Sequence, residues 1–426
     1  MSRKSNRNWL SVRNLSRSEV FDAIRCEALI SRSRLADSVS VSRATVSGIV
    51  ADLLANGLLD EEGVGESTGG RRPIRLRYRP ERRKVVGVVL FNDQIQAVLT
   101  DLEGSPLHDL EVHLPGNCPE SMLVAMKEAT EKILVGVSRR EVLGIGVGVP
   151  GVVDFETGVI EISVGMGWLE GGIQVRSYLE EALGLPVYVA NRSRVAALGE
   201  HRAGIGQNVT NLIYVFLGQG IAAGIVIDRN LYLGSGSCAG EIGHVSVDPD
   251  GPLCKCGNRG CLEVFASEDG ILTQARARAR KDDASILRRM LNGCLDKLTI
   301  DRLMLAARQG DPLAVSVLDE AGAKIGLAVA TLINLFNPQL LVLGGPIGAK
   351  AGEFLLKPVI RVAQIRSLPR SFHATEIVTG TLGTKAIAIG AAVLAIKNTS
   401  IEYIFECPPI PAASSAEDNE QGHIST

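Results

Sequence analysis

Hydrophobic positions fall into two regimes along the chain. In SRSRLADSVSVSRATVSGIVADLLANGLL, residues 31–59, a short helical pattern breaks at Val39–Val41 and a longer one follows. Ser42 stands where an N-cap is needed; Val46, Ile49, Val50, Leu53 and Leu54 recur at i, i+3, i+4, i+7 and i+8, and Asn56-Gly57 closes the helix. With that stripe buried, Arg43, Thr45 and Ser47 lie on or near the open face of the N-terminal end. Two helices across so short a break predict a helix-turn-helix, whose second helix offers its N-terminal side chains to a DNA major groove; a helical hairpin made for protein contacts is the alternative. The next stretch, LLDEEGVGESTGGRRPIRLRYRP, predicts two strands around a Gly-rich tip, the wing of a winged helix. Arg71 and Arg72 stand at that tip, in reach of phosphates or a minor groove.

From Lys84 onward apolar, β-rich runs alternate with helical ones. KVVGVVLF, QIQAVLTDLEG, EVLGIGVGVPGVV, LPVYVAN, NLIYVFLGQGIAAGIVID and LLVLGGP read as strands, several ending in glycines; SMLVAMKEATEKILVGV and LAVATLINLFN read as helices. Strands separated by helices predict α/β layers whose Gly-rich strand ends are a usual place for phosphate or sugar. The last segment, ECPPIPAASSAEDNEQGHIST, is polar and rich in Pro and Ser, so residues 405–426 are expected to form a disordered tail.

Charge sharpens this division. At 426 residues with 46% hydrophobic content the chain has room for two or three cored domains. Its net charge of −2 conceals a split: residues 1–84 hold 17 Lys+Arg against 10 Asp+Glu, a net +7, and the remainder 28 against 37, a net −9. A basic head on an acidic body fits a double-stranded DNA partner for the head. The opening MSRKSNRNWLSVRN lacks the apolar core of a leader, and no apolar run reaches the roughly 18 residues of a membrane span, so the expectation is a cytoplasmic protein without membrane insertion.

Three of eight cysteines crowd into CKCGNRGCLE, residues 254–263. In a reducing compartment such a cluster points to metal or a catalytic thiol rather than a disulfide framework. His244, just upstream in GEIGHVSVDPDGPLCKCGNRGCLE, completes a Cys3His set with Cys254, Cys256 and Cys261, suited to tetrahedral zinc. Four protein ligands leave no open position, so the Zn2+ is expected to be structural. Three unligated thiols in a turn are the alternative, although Gly257 and Gly260 allow the reversals that gather the sulfurs.

Taken together, the head, GEIGH with C-x-C-G-x2-G-C-x-E, and LVLGGPIG resemble the ROK family of repressors, open reading frames and sugar kinases, in its winged-helix repressor branch. The resemblance spans nearly the whole chain. It implies an α/β protein: an N-terminal winged helix-turn-helix over residues 1–80, then a two-lobed actin-like/sugar-kinase (ribonuclease H-like) ROK domain. Lobe 1 would run from 81 to 192, with a helix at about 384–398 packing back on it, and lobe 2 from 193 to 383 with the zinc loop. It also implies that Glu241, His244 and Glu263 hydrogen-bond sugar hydroxyls, zinc on one His244 nitrogen fixing the ring, with Asn191 and Arg192 at the same site. Trp168 stands where members shape the sugar pocket, with a core role as the other reading.

The family's kinases carry three signals from which this sequence departs. In place of the phosphate loop D-x-G-G-T it has Val89, Phe91, Asn92 and Asp93 at the four fixed positions. The second loop, G-T-G-I-G-x-G in the family, reads GQGIAAG at 218–224 with Gln219 for the hydroxyl residue. The Asn-Asp pair that supplies the general base is Asn191-Arg192, and a guanidinium stays protonated at any relevant pH. No catalytic residue is therefore assigned. Arg192 has three readings: a fork for an anionic sugar, with Arg194 nearby if the local turn allows, a partner of Glu241 or Glu263 that fills the pocket, or a solvent-facing side chain. The function expected is a transcriptional repressor of carbohydrate-utilisation genes, released by a sugar or sugar derivative and acting as a homodimer or homotetramer. A carbohydrate kinase with an unusual base, and a regulator governed by a protein partner, are the alternatives.

Overall fold

The computed structural model describes residues 3–27, 29–64, 74–91, 93–114, 116, 118–163, 166–168 and 172–406. Two compact units emerge. One takes the described residues up to Lys84, Gly136–Leu143 and the chain from Thr399; the other takes Val85–Val135 and Gly144–Asn398.

The first unit opens with α1 (Arg3–Cys26), β1 (Leu29–Ser31), α2 (Arg32–Ser38) and α3 (Arg43–Ala55), then β2 (Leu59–Val64) and β3 (Ile74–Tyr78). Local side-chain chemistry starts both short helices: Ser31 Oγ accepts the Arg34 N–H and Ser42 Oγ the Thr45 N–H, each at 3.2 Å. Strands β1, β3 and β2 form an antiparallel sheet in that order. Val46, Ile49, Val50 and Leu53 of α3 are buried with Val20 and Ile24 of α1, Leu35 of α2 and Leu76 of β3, whereas Leu54 is only half-buried. This is the winged helix-turn-helix; the tip between β2 and β3, with Arg71 and Arg72, lies outside the described residues.

The expected tail begins two residues too early. Ile401–Glu406 is a helix whose Ile404 and Phe405 are buried. Arg17 of α1 lies 4.6 Å from the Phe405 ring, Phe21 meets that ring edge-on, and Asn56 donates its side-chain amide to the Phe405 carbonyl. Apolar spacing in IEYIF outweighs the polar composition that follows it; residues 407–426 lie outside the described set.

In the second unit two sheets repeat one topology. The first combines β4 (Lys84–Leu90), β5 (Gln94–Thr100), β6 (Pro106–His113), β7 (Val142–Val149) and, after the small sheet of β8 (Val152–Asp154), β9 (Val159–Ile162) and β10 (Ile173–Gln174), β11 (Val187–Asn191), in the order β11-β7-β4-β5-β6. Helices α4 (Pro119–Ile133) and α5 (Val175–Leu183) pack against it. After α6 (Arg192–Ala203), the second combines β12 (Leu212–Leu217), β13 (Ile221–Ile227), β14 (Asn230–Leu231), β15 (Leu340–Gly344) and β16 (Glu376–Thr379), in the order β14-β13-β12-β15-β16. Each has three consecutive antiparallel strands at one side and a parallel pair at the other. Between β14 and β16 come α7 (Leu262–Ala266), α8 (Glu268–Ala279), α9 (Ile286–Met290), α10 (Ile300–Arg308), α11 (Pro312–Phe336), α12 (Gly345–Arg366) and α13 (Pro369–His373); α14 (Lys385–Asn398) follows.

Helices α6 and α14 join the sheets. A Cβ on Gly146 would collide with the Ala391 carbonyl of α14, and one on Gly224 with the Ser193 carbonyl of α6. The helices cross where Gly199 faces the Ala386 carbonyl and Gly390 the Val195 carbonyl, too close for any side chain. The stack of sheet, α14, α6 and sheet is the two-lobed architecture expected. Among the described residues no helix is long and apolar enough to cross a membrane.

Candidate ligand cleft and metal cluster

A cavity of about 170 Å³ opens where strand ends of both lobes meet. From the first lobe it takes Pro150–Val152 after β7, Ser163 after β9, and Asn191-Arg192 where β11 turns into α6; from the second, Phe216, Gln219–Ala222, Glu241, His244, Lys255 and Glu263.

Asn191 is chiefly a builder of this turn. As N-cap of α6 its Oδ1 accepts from the Ser193 N–H at 2.8 Å and hydroxyl at 2.7 Å, while Nδ2 donates to the Gly151 carbonyl at 2.7 Å. The amide thereby ties the loop after β7 to the start of α6.

Arg192 lines the cavity with its guanidinium 5.9 Å from the Phe91 ring and 5.4 Å from the Phe216 ring. Among the described residues its polar contact with the protein is a long one, Nη1 to the Leu90 carbonyl at 3.4 Å. Burial pushes its pKa down to about 10, which still leaves it charged at neutral pH. Neither the pairing with Glu241 or Glu263 nor the solvent-facing reading describes this position. Arg194 is turned away from the cavity: it is buried, and Nη2 donates to the carbonyls of Ser237 and Ala239. The turn does not bring it beside Arg192, because helical spacing rotates the two side chains apart.

Opposite stand the carboxylates. Glu241 precedes the 3-10 turn Ile242–His244, and burial raises its pKa, opposed by Arg194 and His244 and reinforced by Glu263. Glu263, in the first turn of α7, accepts the Ile221 N–H at 3.0 Å through Oε2. Lys255, between two of the cysteines, also reaches the wall. It was missed in the sequence, although its place in a loop expected beside the pocket was a usable signal. Trp168 does not line the cavity among the described residues; its backbone pairs with that of Ser163, which does.

Next to the cleft, ligand atoms of His244, Cys254, Cys256 and Cys261 all lie within 4.8 Å of one another. His244 Nδ1 is 3.8 Å from Cys254 Sγ, and Cys256 Sγ is 3.7 Å from Cys261 Sγ. Sulfurs on a tetrahedral zinc with bonds near 2.3 Å stand roughly 3.8 Å apart, so the donor set fits a metal of that kind. The loop depends on two left-handed glycines, Gly257 (φ 93°) and Gly260 (φ 63°), and a Cβ on Gly260 would strike the Asp248 carbonyl. Since Nδ1 faces the sulfurs, Nε2 is the nitrogen left for the cleft.

The Phe91 N–H donates to the Gln94 carbonyl at 2.8 Å, closing a tight β4–β5 turn whose Asn92 lies outside the described residues. At the start of α12 the Gly345 N–H donates to the Tyr214 hydroxyl at 2.7 Å.

A winged helix-turn-helix and a two-lobed sugar-kinase-like body with a Cys/His cluster beside its cleft define a class of protein. The ROK family pattern matches residues 85–398, and the chain belongs to that family. It is 30% identical to the xylose repressor of Caldicellulosiruptor bescii over 394 residues, 92% of this chain and 98% of that one. Among solved structures it is similar to a ROK transcriptional regulator described as a homologue of the Escherichia coli MLC protein, with TM-score 0.81, 28% identity and coverage of 93% and 99%. A Streptomyces griseus ROK glucokinase, solved with glucose and AMPPNP, matches with TM-score 0.65 and 32% identity over 74% of this chain and all of its own.

Proposed function

We propose that the chain is a DNA-binding transcriptional regulator, a repressor of carbohydrate-utilisation genes that leaves its operator when a sugar or sugar derivative fills the cleft. The observation that carries this reading is the pairing of a winged helix-turn-helix with a sugar-sized cleft in one chain, over nearly the full length of a repressor relative. Arg43, Thr45 and Ser47, all exposed on α3, face the operator, with Arg71 and Arg72 of the wing on its backbone. Arg43 already ion-pairs with exposed Asp37 at 3.2 Å, a contact that DNA must compete for. In the cleft Glu241, Glu263 and His244 Nε2 meet sugar hydroxyls, Asn191 holds the wall, and Arg192 faces the ligand.

A structural zinc on His244, Cys254, Cys256 and Cys261 supplies no chemistry beyond holding the loop and orienting the imidazole. The protein is not a kinase in this reading. With Arg192 at the start of α6, no base stands there to take a hydroxyl proton, and the Gly345 N–H that opens α12 is already hydrogen-bonded. Recognition of a two-fold operator calls for a homodimer or homotetramer.

Operator binding measured at fixed salt, with neutral sugars, amino sugars, sugar acids and sugar phosphates in turn, tests the proposal. Release by one class is the expected result. Occupancy that no sugar alters, or sugar-dependent ATP turnover that Glu241→Gln abolishes, would overturn it.

A further inference from the structure

Charge in the cleft is answered unevenly. Glu263 accepts the Ile221 N–H, and Glu241 lies in the field of Arg194, so each carboxylate already has a partner on the protein. Arg192 is different: among the described residues its hydrogen bond is the long one to the Leu90 carbonyl, and burial lowers its pKa with no carboxylate opposing it. Lys255, an exposed cation, lines the same wall. Ser163 is 1% exposed and lines the cavity, and among the described residues its hydroxyl has no hydrogen-bond partner. A half-buried cation between aromatic rings, beside a buried hydroxyl, gains most from a ligand that brings an anionic group to it.

We infer that the cleft selects a monosaccharide carrying an anionic group, a carboxylate or a phosphate, with that group on Arg192 and the sugar hydroxyls toward Glu241, His244 and Glu263. This rests on the sugar-sensing reading above and names its ligand class. The planar guanidinium matches either anion with two parallel N–H bonds. Phe91 follows β4 of the first lobe and Phe216 lies in β12 of the second, so rings from both lobes hold the fork between them. A neutral sugar leaves Arg192 without counter-charge.

The test is calorimetric titration of the full-length protein with D-glucose, D-glucuronate, D-glucose 6-phosphate and inorganic phosphate, for the wild type, Arg192→Gln and Arg192→Lys. One or both sugar anions should bind more tightly than glucose. Arg192→Gln should weaken the preferred anion by about ten- to a hundredfold, while changing glucose affinity less than about threefold. Arg192→Lys, which keeps the charge and loses the fork, should fall between. Glucuronate and glucose 6-phosphate distinguish a carboxylate ligand from a phosphate one. Glucose binding as tightly as both anions, equal loss of all three sugars in Arg192→Gln, no saturable binding of either anion, or inorganic phosphate matching the sugar anions would each overturn the inference. Operator release by glucose alone would refute it while leaving the sugar-sensing reading intact; release by no sugar would refute both.

Discussion

At the scale of residues, the cleft was legible where its chemistry is local in sequence. His244, Cys254, Cys256 and Cys261 span 18 positions, and glycine placement within that span already implied a gathered loop. Arg192 was legible as an unusual residue and not as a placed one. Its aromatic neighbours are Phe91, more than a hundred residues before it, and Phe216, 24 residues after it, a proximity that only the meeting of the two lobes creates. The helix rotation that turns Arg194 inward is similarly invisible without the fold. Metal ligation yields a prediction at this scale: wild-type protein should carry zinc measurable by elemental analysis, and Cys254→Ser should lose it and no longer release operator with the inducing sugar, while the head still binds DNA. Full induction in a zinc-free variant would remove the role given to the cluster.

Among elements, capping and close packing give the sharper expectations. Asp311 begins α11: its Oδ2 accepts from the Ser285 hydroxyl at 2.7 Å and the Leu287 N–H at 2.8 Å, and Oδ1 from the Leu313 N–H at 3.0 Å. Burial alone would raise its pKa, but these donors together hold it below the usual carboxylate value. Because the folded-state pKa is depressed, the stabilisation is present above the unfolded value near 3.9 and is lost as pH falls through the folded one. Asp311→Asn should therefore be less stable than wild type by about 1–2 kcal/mol at neutral pH, with the gap in urea midpoint closing as pH drops below about 4. A gap that stays constant with pH would contradict the assignment. Gly390→Val drives a side chain into the Val195 carbonyl at the α6–α14 crossing and should destabilise the second unit by about 3 kcal/mol or more, read from thermal melts. The recognition helix was readable because Ser42 and the Val46–Leu53 stripe act within one element. By contrast, α1 passed unread: of the described part of its stripe, Val20, Phe21 and Ile24 are buried together with a charged residue, Arg17, which breaks any simple apolar period.

For the whole molecule, the chain passes between the two units several times. Strands β4 and β7 each begin with residues of the first unit, Lys84 and Val142-Leu143, and each ends beside the cleft, at Leu90 and at Pro150. Helix α14 leads, through Thr399 and Ser400, into the helix that buries Phe405 in the first unit. The polar composition after Glu406 hid that helix from the sequence. Truncation after Thr399 should uncover Arg17 and Phe21, lower the stability of the first unit and weaken operator binding; unchanged DNA affinity would show that the helix is dispensable. A ligand shifts DNA occupancy only by binding one lobe arrangement better than another. The central claim is therefore tested most directly by operator affinity measured at one salt concentration with and without each sugar class. The account predicts that one class lowers affinity and that Arg192→Gln abolishes the response to an anionic inducer without weakening DNA binding in its absence. An operator complex indifferent to every sugar would contradict it.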